Sequence, residues 1–336
     1  MSRAYGWNAC LLLGFEQTYG IPPGEGDVSV FHKIPFISSD LDSAQGLIAS
    51  NVLGLGRDPT QPYQDVINVE GDVVVPVDLR NIGYWLKAVL GDPGSRPVQE
   101  KGLVWDGNIV CYHHTFNSGE VSLPSLSLEL GMPEIPEFPL FTGVRANSMA
   151  FNFQRSGEAQ ATVNLIGQGE TRQTKTKDTT PHEASYTRFS QFQGSIKVVR
   201  HEVTRHEGAS PLGNVTSASL TYSNNLEKIE TIRDDGKIEG VDPGVASLTG
   251  NLAIRYADNT LMDTARSGEP IDLELAYIID SSRQLIIQCH EVYLPKPKRS
   301  ISGPNGIEAS YDFQGAFNAA HGNMVTVTLT NDLEGY

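Results

Sequence analysis

The sequence is poor in cysteine, in cations and in long apolar runs, and each shortage removes a class of function. Only three cysteines, Cys10, Cys111 and Cys289, occur in 336 residues. They are odd in number and form no Cys-x-x-Cys, which argues against a zinc ribbon or a redox pair and for reduced thiols made in a cytoplasm. Lysine and arginine number 25 against 40 aspartates and glutamates, a formal net charge of −15. Gripping nucleic acid takes clustered cations, so tight phosphate binding is not expected. No apolar run approaches the roughly 20 residues of a membrane span. Leu11-Leu12-Leu13 is too short for the core of a signal peptide.

Catalytic signatures are missing as well. There is no Gly-x-Ser-x-Gly, no Walker loop and no paired-carboxylate motif. Gly54-Leu55-Gly56 lacks the third glycine of a dinucleotide fingerprint. His201 and His206 stand five apart in a β-rich run, whereas a zincin needs the i, i+4 spacing of a helix. Adjacent His113 and His114 face apart in a strand. The chain therefore reads as a non-enzyme with no cofactor and no metal.

What is present is β structure and turns, with 33 glycines, 19 prolines and 39 % hydrophobic residues. The most legible stretch runs from Val69 to Gly91. A valine-rich strand leads to Asp78, placed as a helix N-cap. Leu79, Ile82, Leu86, Val89 and Leu90 then fall on one helical face, and Gly91 stands where a left-handed C-cap would end the helix. Much the same plan recurs over Thr249–Gly268, with Gly250 standing 179 residues after Gly71. A second echo sets Phe151 against Tyr311 and Ala161–Leu165 against Val325–Leu329. The expectation is an all-β protein with one or two short helices, built from a duplicated β-sandwich or barrel unit. The first unit spans 1–166 with an N-terminal arm, 167–213 is a long loop or insert, and the second unit spans 214–336. Gly169–Pro181 lacks a core face and reads as a mobile loop.

Several of these segments together resemble the major tail (tail-tube) proteins of long-tailed bacteriophages. They are Glu16–Pro23, Ile34–Ser39, Gly56–Pro59, Val69–Asp78, Tyr84–Gly91, Leu248–Leu252 and Ile301–Ile307. The resemblance spans most of the chain and covers 167–213 poorly. It implies a virion structural protein, made in the bacterial host cytoplasm, whose rings stack into the tail tube. It also implies contact with other tail proteins at the tube ends, an acidic lumen through which DNA passes without specific binding, and no membrane. Six equivalent β units per ring would follow from the same resemblance. Two units per chain then favour a ring of three chains over six. Arg172, Lys175 and Lys177 are expected to form an inter-ring loop. The alternative is a two-domain β-sandwich binding or adhesion module, which predicts a monomer with a concave aromatic site. Aromatics of 8 %, without a cluster, weigh against it.

Overall fold

The computed structural model describes residues 3–24, 30–54, 56–98, 104–105, 109–200, 215–255, 259–296 and 308–336. It is an all-β molecule with two short helices. The first half holds β1 (Cys10–Phe15), β2 (His32–Ile34), β3 (Ser38–Ser39), β4 (Asp42–Ile48), β5 (Tyr63–Pro76) and α1 (Ile82–Leu90). The small strands β6 (Gly94–Pro97), β7 (Val104–Trp105) and β8 (Ile109–Val110) precede β9 (Tyr112–Asn117), β10 (Leu126–Gly131), β11 (Leu140–Gln154), β12 (Gln160–Gly167) and β13 (Gly169–Thr171). The second half holds β14 (Gly194–Arg200), β15 (Val215–Ser223), β16 (Glu227–Ile229), β17 (Gly240–Asp242), β18 (Ser247–Arg255) and α2 (Thr260–Ser267). It ends with β19 (Ile271–Asp280), β20 (Arg283–Tyr293), β21 (Glu308–Gly315) and β22 (Val325–Asn331).

The pairing pattern of the first half occurs again in the second. β1–β10, β10–β11, β11–β12, β11–β13, β12–β5 and β4–β5 are matched by β14–β19, β19–β20, β20–β21, β20–β22, β21–β18 and β15–β18. The match extends to register. Ser39↔Val73 corresponds to Ala218↔Leu252, and Asp42↔Glu70 to Thr221↔Thr249, each residue shifted by 179. The bulge between Leu126 and Leu128 recurs between Ile271 and Leu273. Side chains follow the pairing. Asn164 donates to Asp72 Oδ1 across β12–β5 (2.6 Å), and Asn251 donates to Asp312 Oδ1 across β18–β21 (2.7 Å), the amide and the carboxylate having exchanged strands.

This register corrects the second sequence echo. Asn164 opposite Asp72 answers to Asp312 opposite Asn251, a shift of 148. Ala161–Leu165 therefore matches Ala309–Phe313, not Val325–Leu329, and Phe151 does not match Tyr311. The alternation of small, apolar and polar residues is common to all these strands, and only pairing distinguishes them. Within 167–213, β13 pairs with β11, and the return to the sheet expected from Phe189, Phe192, Ile196, Val198 and Val199 is found as β14 beside β19. Within the N-terminal arm, Cys10–Phe15 is a strand paired on both sides, with β2 and β10.

β5 pairs with β4 and β12, and the sheet continues through β11, β15 and β18 to β21, all antiparallel. Its inward residues, such as Val73, Val75, Val163, Phe151, Leu220, Leu252 and Tyr311, join one core with both halves. Gly71 and Gly250 sit where a neighbouring strand passes too closely for a side chain. A Cβ would strike the Leu41 backbone at the first and the Ser219 carbonyl oxygen at the second.

Candidate assembly surfaces

The outward side of this sheet is a long, regular surface. Between β12 and β18 it presents rows of small neutral residues: Asn164, Ser148, Ser223 and Ser247; Thr162, Ala150, Thr221 and Thr249; Gln160, Asn152, Ser219 and Asn251. No charged side chain stands in those rows. Charges appear at the flanks, as Glu70 and Asp72 on β5 and Glu308 and Asp312 on β21, with Arg255 opposite Glu308. Lys228 neutralises Glu70 at 2.8 Å. At one end the β16–β17 pair lies over the face and buries Ile166 against Ile238 and Val241.

Two edges bound this sheet. Among the described residues β3 and β4 pair with β5 alone, and β21 touches β20 only at Gly315 and Gln314. Such edges are templates for another strand. The β4–β5 hairpin also leaves Leu47, Leu53, Tyr63 and Val66 exposed, a concentration of apolar groups rimmed by polar residues that marks a contact surface.

The helix expected at Leu79–Leu90 begins at Ile82, with fully buried Leu79 in the turn before it. Asp78 serves that turn. It accepts from the amides of Arg80 (3.3 Å), Asn81 (3.1 Å) and Ile82 (3.0 Å) and from Asn81 Nδ2 (2.7 Å). Burial pushes its carboxyl above the usual range, and those donors oppose the shift. Gly91 has φ 91° and ψ −171°, a positive φ but not the left-handed helical C-cap expected. Nor is the helix amphipathic in place. Ile82, Leu86 and Val89 are buried, and so is every other residue of α1 except Lys87. The covering is remote in sequence. Arg80 makes paired hydrogen bonds to Asp332 (2.7 and 2.8 Å) and binds Ser185 O and Thr187 Oγ1. Tyr336 lies over Gly83 and donates to Arg80 O (2.8 Å), while Asn331 donates to Leu79 O (2.8 Å). Nothing local in the sequence marks this lock.

The cationic stretch is anchored to its own chain. Arg172 pairs with Glu137, and Thr176 Oγ1 and the Lys177 amide donate to the two oxygens of buried Glu129 (2.7 and 2.6 Å). Lys175 is exposed. These contacts replace the mobile loop read from composition. His114 is buried between Ser95 and Asn331, while His113 meets Thr330, so the two do face apart. His201, Glu202 and His206 lie outside the described residues. Among the described residues no group of His, Cys, Asp and Glu is placed to hold a metal, and no helix is long and apolar enough to cross a membrane. The sequence carries a signal of the neutral rows in the alternation of Ser217-Ala218-Ser219-Leu220-Thr221-Tyr222-Ser223. A model of one protein family, described as phage tail tube protein, matches residues 6–315. Comparison with curated proteins gives no match.

Proposed function

The chain belongs to the phage tail tube protein family, and we propose that it forms the tube by joining the open edges of its long sheet to those of neighbouring copies. As a family member it is a structural protein of the virion tail. In the proposed ring the outward sheet face lines the lumen. The observation that carries this reading is the combination of a neutral, small-residue face with two edges, β3–β4 and β21, that are largely unpaired among the described residues. A closed ring leaves no edge exposed, and a wall of hydroxyls and amides without clustered cations gives DNA phosphates nothing to grip.

The lumen would be acidic through Asp72 and Asp312, which belong to corresponding cross-strand pairs and have amide partners instead of cations. That charge lets DNA slide during ejection. The paired halves act as two ring units, so three chains supply the six units expected for the tube. The apolar β4–β5 hairpin and the Gly169–Pro181 segment, with Lys175 free to reach an acidic neighbour, are placed in the contacts between rings. An exposed pair contributes only about 0–1 kcal/mol, so such contacts count by repetition around the ring. Other tail proteins meet the tube at its ends, and the chain is made in the bacterial host cytoplasm. Electron microscopy of purified protein at rising concentration tests the reading. Rings and stacked tubes are expected, and particles that stay monomeric throughout refute it.

A further inference from the structure

We infer that the β4–β5 hairpin of one copy seats on the second half of another copy, at Val245, Tyr293 and Gln314, as the β16–β17 hairpin seats on the first half within each chain. This rests on the ring-forming reading and gives that hairpin its partner surface.

The two hairpins are counterparts. The shift of 179 that relates β4–β5 to β15–β18 also carries Ile48↔Tyr63, at the outer end of β4–β5, onto Glu227↔Asp242, the first pair of β16–β17. One shift holds on both strands, so the two hairpins are equal in length. They differ in course. β15 stops at Ser223, and Asn225 turns the second hairpin aside with φ 47°. Its counterpart, Gly46, sits in the bulge between Gln45 and Leu47, and a glycine adopts such a φ freely.

Within the chain, β16–β17 covers the first half. Ile238 and Val241 bury Ile166, with Leu226 packed against them. Arg145 Nη1 donates to Val241 O (2.6 Å), Gln168 Nε2 to Glu239 O (3.1 Å) and the Ile67 amide to Gly236 O (3.0 Å). Lys228 meets Glu70 at 2.8 Å.

The corresponding surface of the second half is exposed. Arg145↔Ile166 answers to Tyr293↔Gln314, each residue shifted by 148. Val66, beside Ile67, answers to Val245 by the shift of 179. Val245 and Tyr293 are 89 % and 38 % exposed, and Gln314 is exposed as well. Tyr293 and Gln314 line a concave surface with Leu294, Pro295 and Thr249. On the β4–β5 hairpin, Leu47 is the counterpart of Leu226 and is 70 % exposed, and Tyr63 and Val66 are exposed beside it. Such unburied apolar groups on both surfaces mark a contact. The charges agree too. The Lys228–Glu70 pair is replaced by Ala49 and Thr249, so at that point neither side brings in a charge that lacks a partner.

Within one chain β4–β5 and β21 lie at opposite sides of the sheet, so the hairpin comes from a second copy. The contact is head-to-tail and repeats until the ring closes. The base of the hairpin makes it, which leaves the exposed tip, Val52 and Leu53, for the contacts between rings.

Two variants test the inference. Leu47→Glu changes a side chain that the single chain leaves exposed, so unchanged melting is expected, with at least a tenfold loss of rings at a concentration where the parent assembles. A photoreactive benzoylphenylalanine replacing Tyr293 is expected to cross-link into β4 or β5 of a second copy, shown as intermolecular by mixing isotopically light and heavy protein. Leu47→Glu rings at the parental level, or cross-links that are absent or land elsewhere, overturn the inference, while an assembling parent leaves the tube reading standing. A parent that stays monomeric overturns the tube reading and this contact with it.

Discussion

Replacing Arg80 by methionine tests whether the C-terminal segment locks the two halves together. The guanidinium and the Asp332 carboxylate are 7 % and 16 % exposed as side chains and meet in two parallel bonds. Removing one partner of a buried pair costs about 3–5 kcal/mol, chiefly because the other charge is left without compensation. Asp332 retains some access to water, which sets the expectation near the lower end, about 3 kcal/mol. Arg80 also donates to Ser185 O (2.9 Å) and Thr187 Oγ1 (3.2 Å), so Arg80→Met should exceed Asp332→Asn. The double variant should then cost clearly less than the sum, with a coupling of about 1–3 kcal/mol, because either change alone already breaks the pair. Urea unfolding of the four proteins, followed by far-ultraviolet circular dichroism below the assembly concentration, measures the cycle. A loss under about 1 kcal/mol for Arg80→Met, or strict additivity, refutes the lock.

Three further outcomes follow from the packing. Leu86→Ala, at a site 1 % exposed, should cost about 2–5 kcal/mol in the same unfolding assay, and a near-neutral result would show that α1 is not part of the core. Gly250→Ala should destabilise by more than a kilocalorie, since its methyl meets the Ser219 carbonyl and the Phe313 ring, whereas Gly157→Ala, with open space around it, loses little beyond its turn strain. His32 is held neutral to about pH 4 by burial first and then by His182 and Lys87. Its folded-state affinity for protons is thus below the unfolded one, so the stability it contributes is complete above about pH 6.5 and falls as pH drops toward 4, by on the order of 2 kcal/mol after allowing for partial exposure. His32→Gln should flatten that part of the stability profile, and an unchanged slope would remove His32 from the account.

Strand content was legible because inward and outward residues alternate along β5, β12 and β15, and that pattern follows from burial on one face. The start of α1 was misplaced because Asp78 serves the turn ahead of the helix as well as its first amide, and both uses look alike in sequence. The buried surround of α1 was invisible, since its partners Asp332 and Tyr336 lie some 250 residues away. The Gly71–Gly250 correspondence rests on a steric demand that only glycine meets, so it kept its register. The Phe151–Tyr311 echo rested on a likeness of alternating residues, Ala150–Gln154 against Ser310–Gln314, that many strands share, and fell one strand out of place. Gly169–Pro181 lacks an apolar face, yet a single buried carboxylate, Glu129, ties it down, a kind of anchoring that periodicity does not reveal.

Counting chains in an isolated ring, by native mass spectrometry or by cryo-electron microscopy of the tube, tests the central claim most directly. The account predicts three chains per ring, with six similar units around the lumen. Six chains per ring, with one half of each lying outside the barrel, would contradict it.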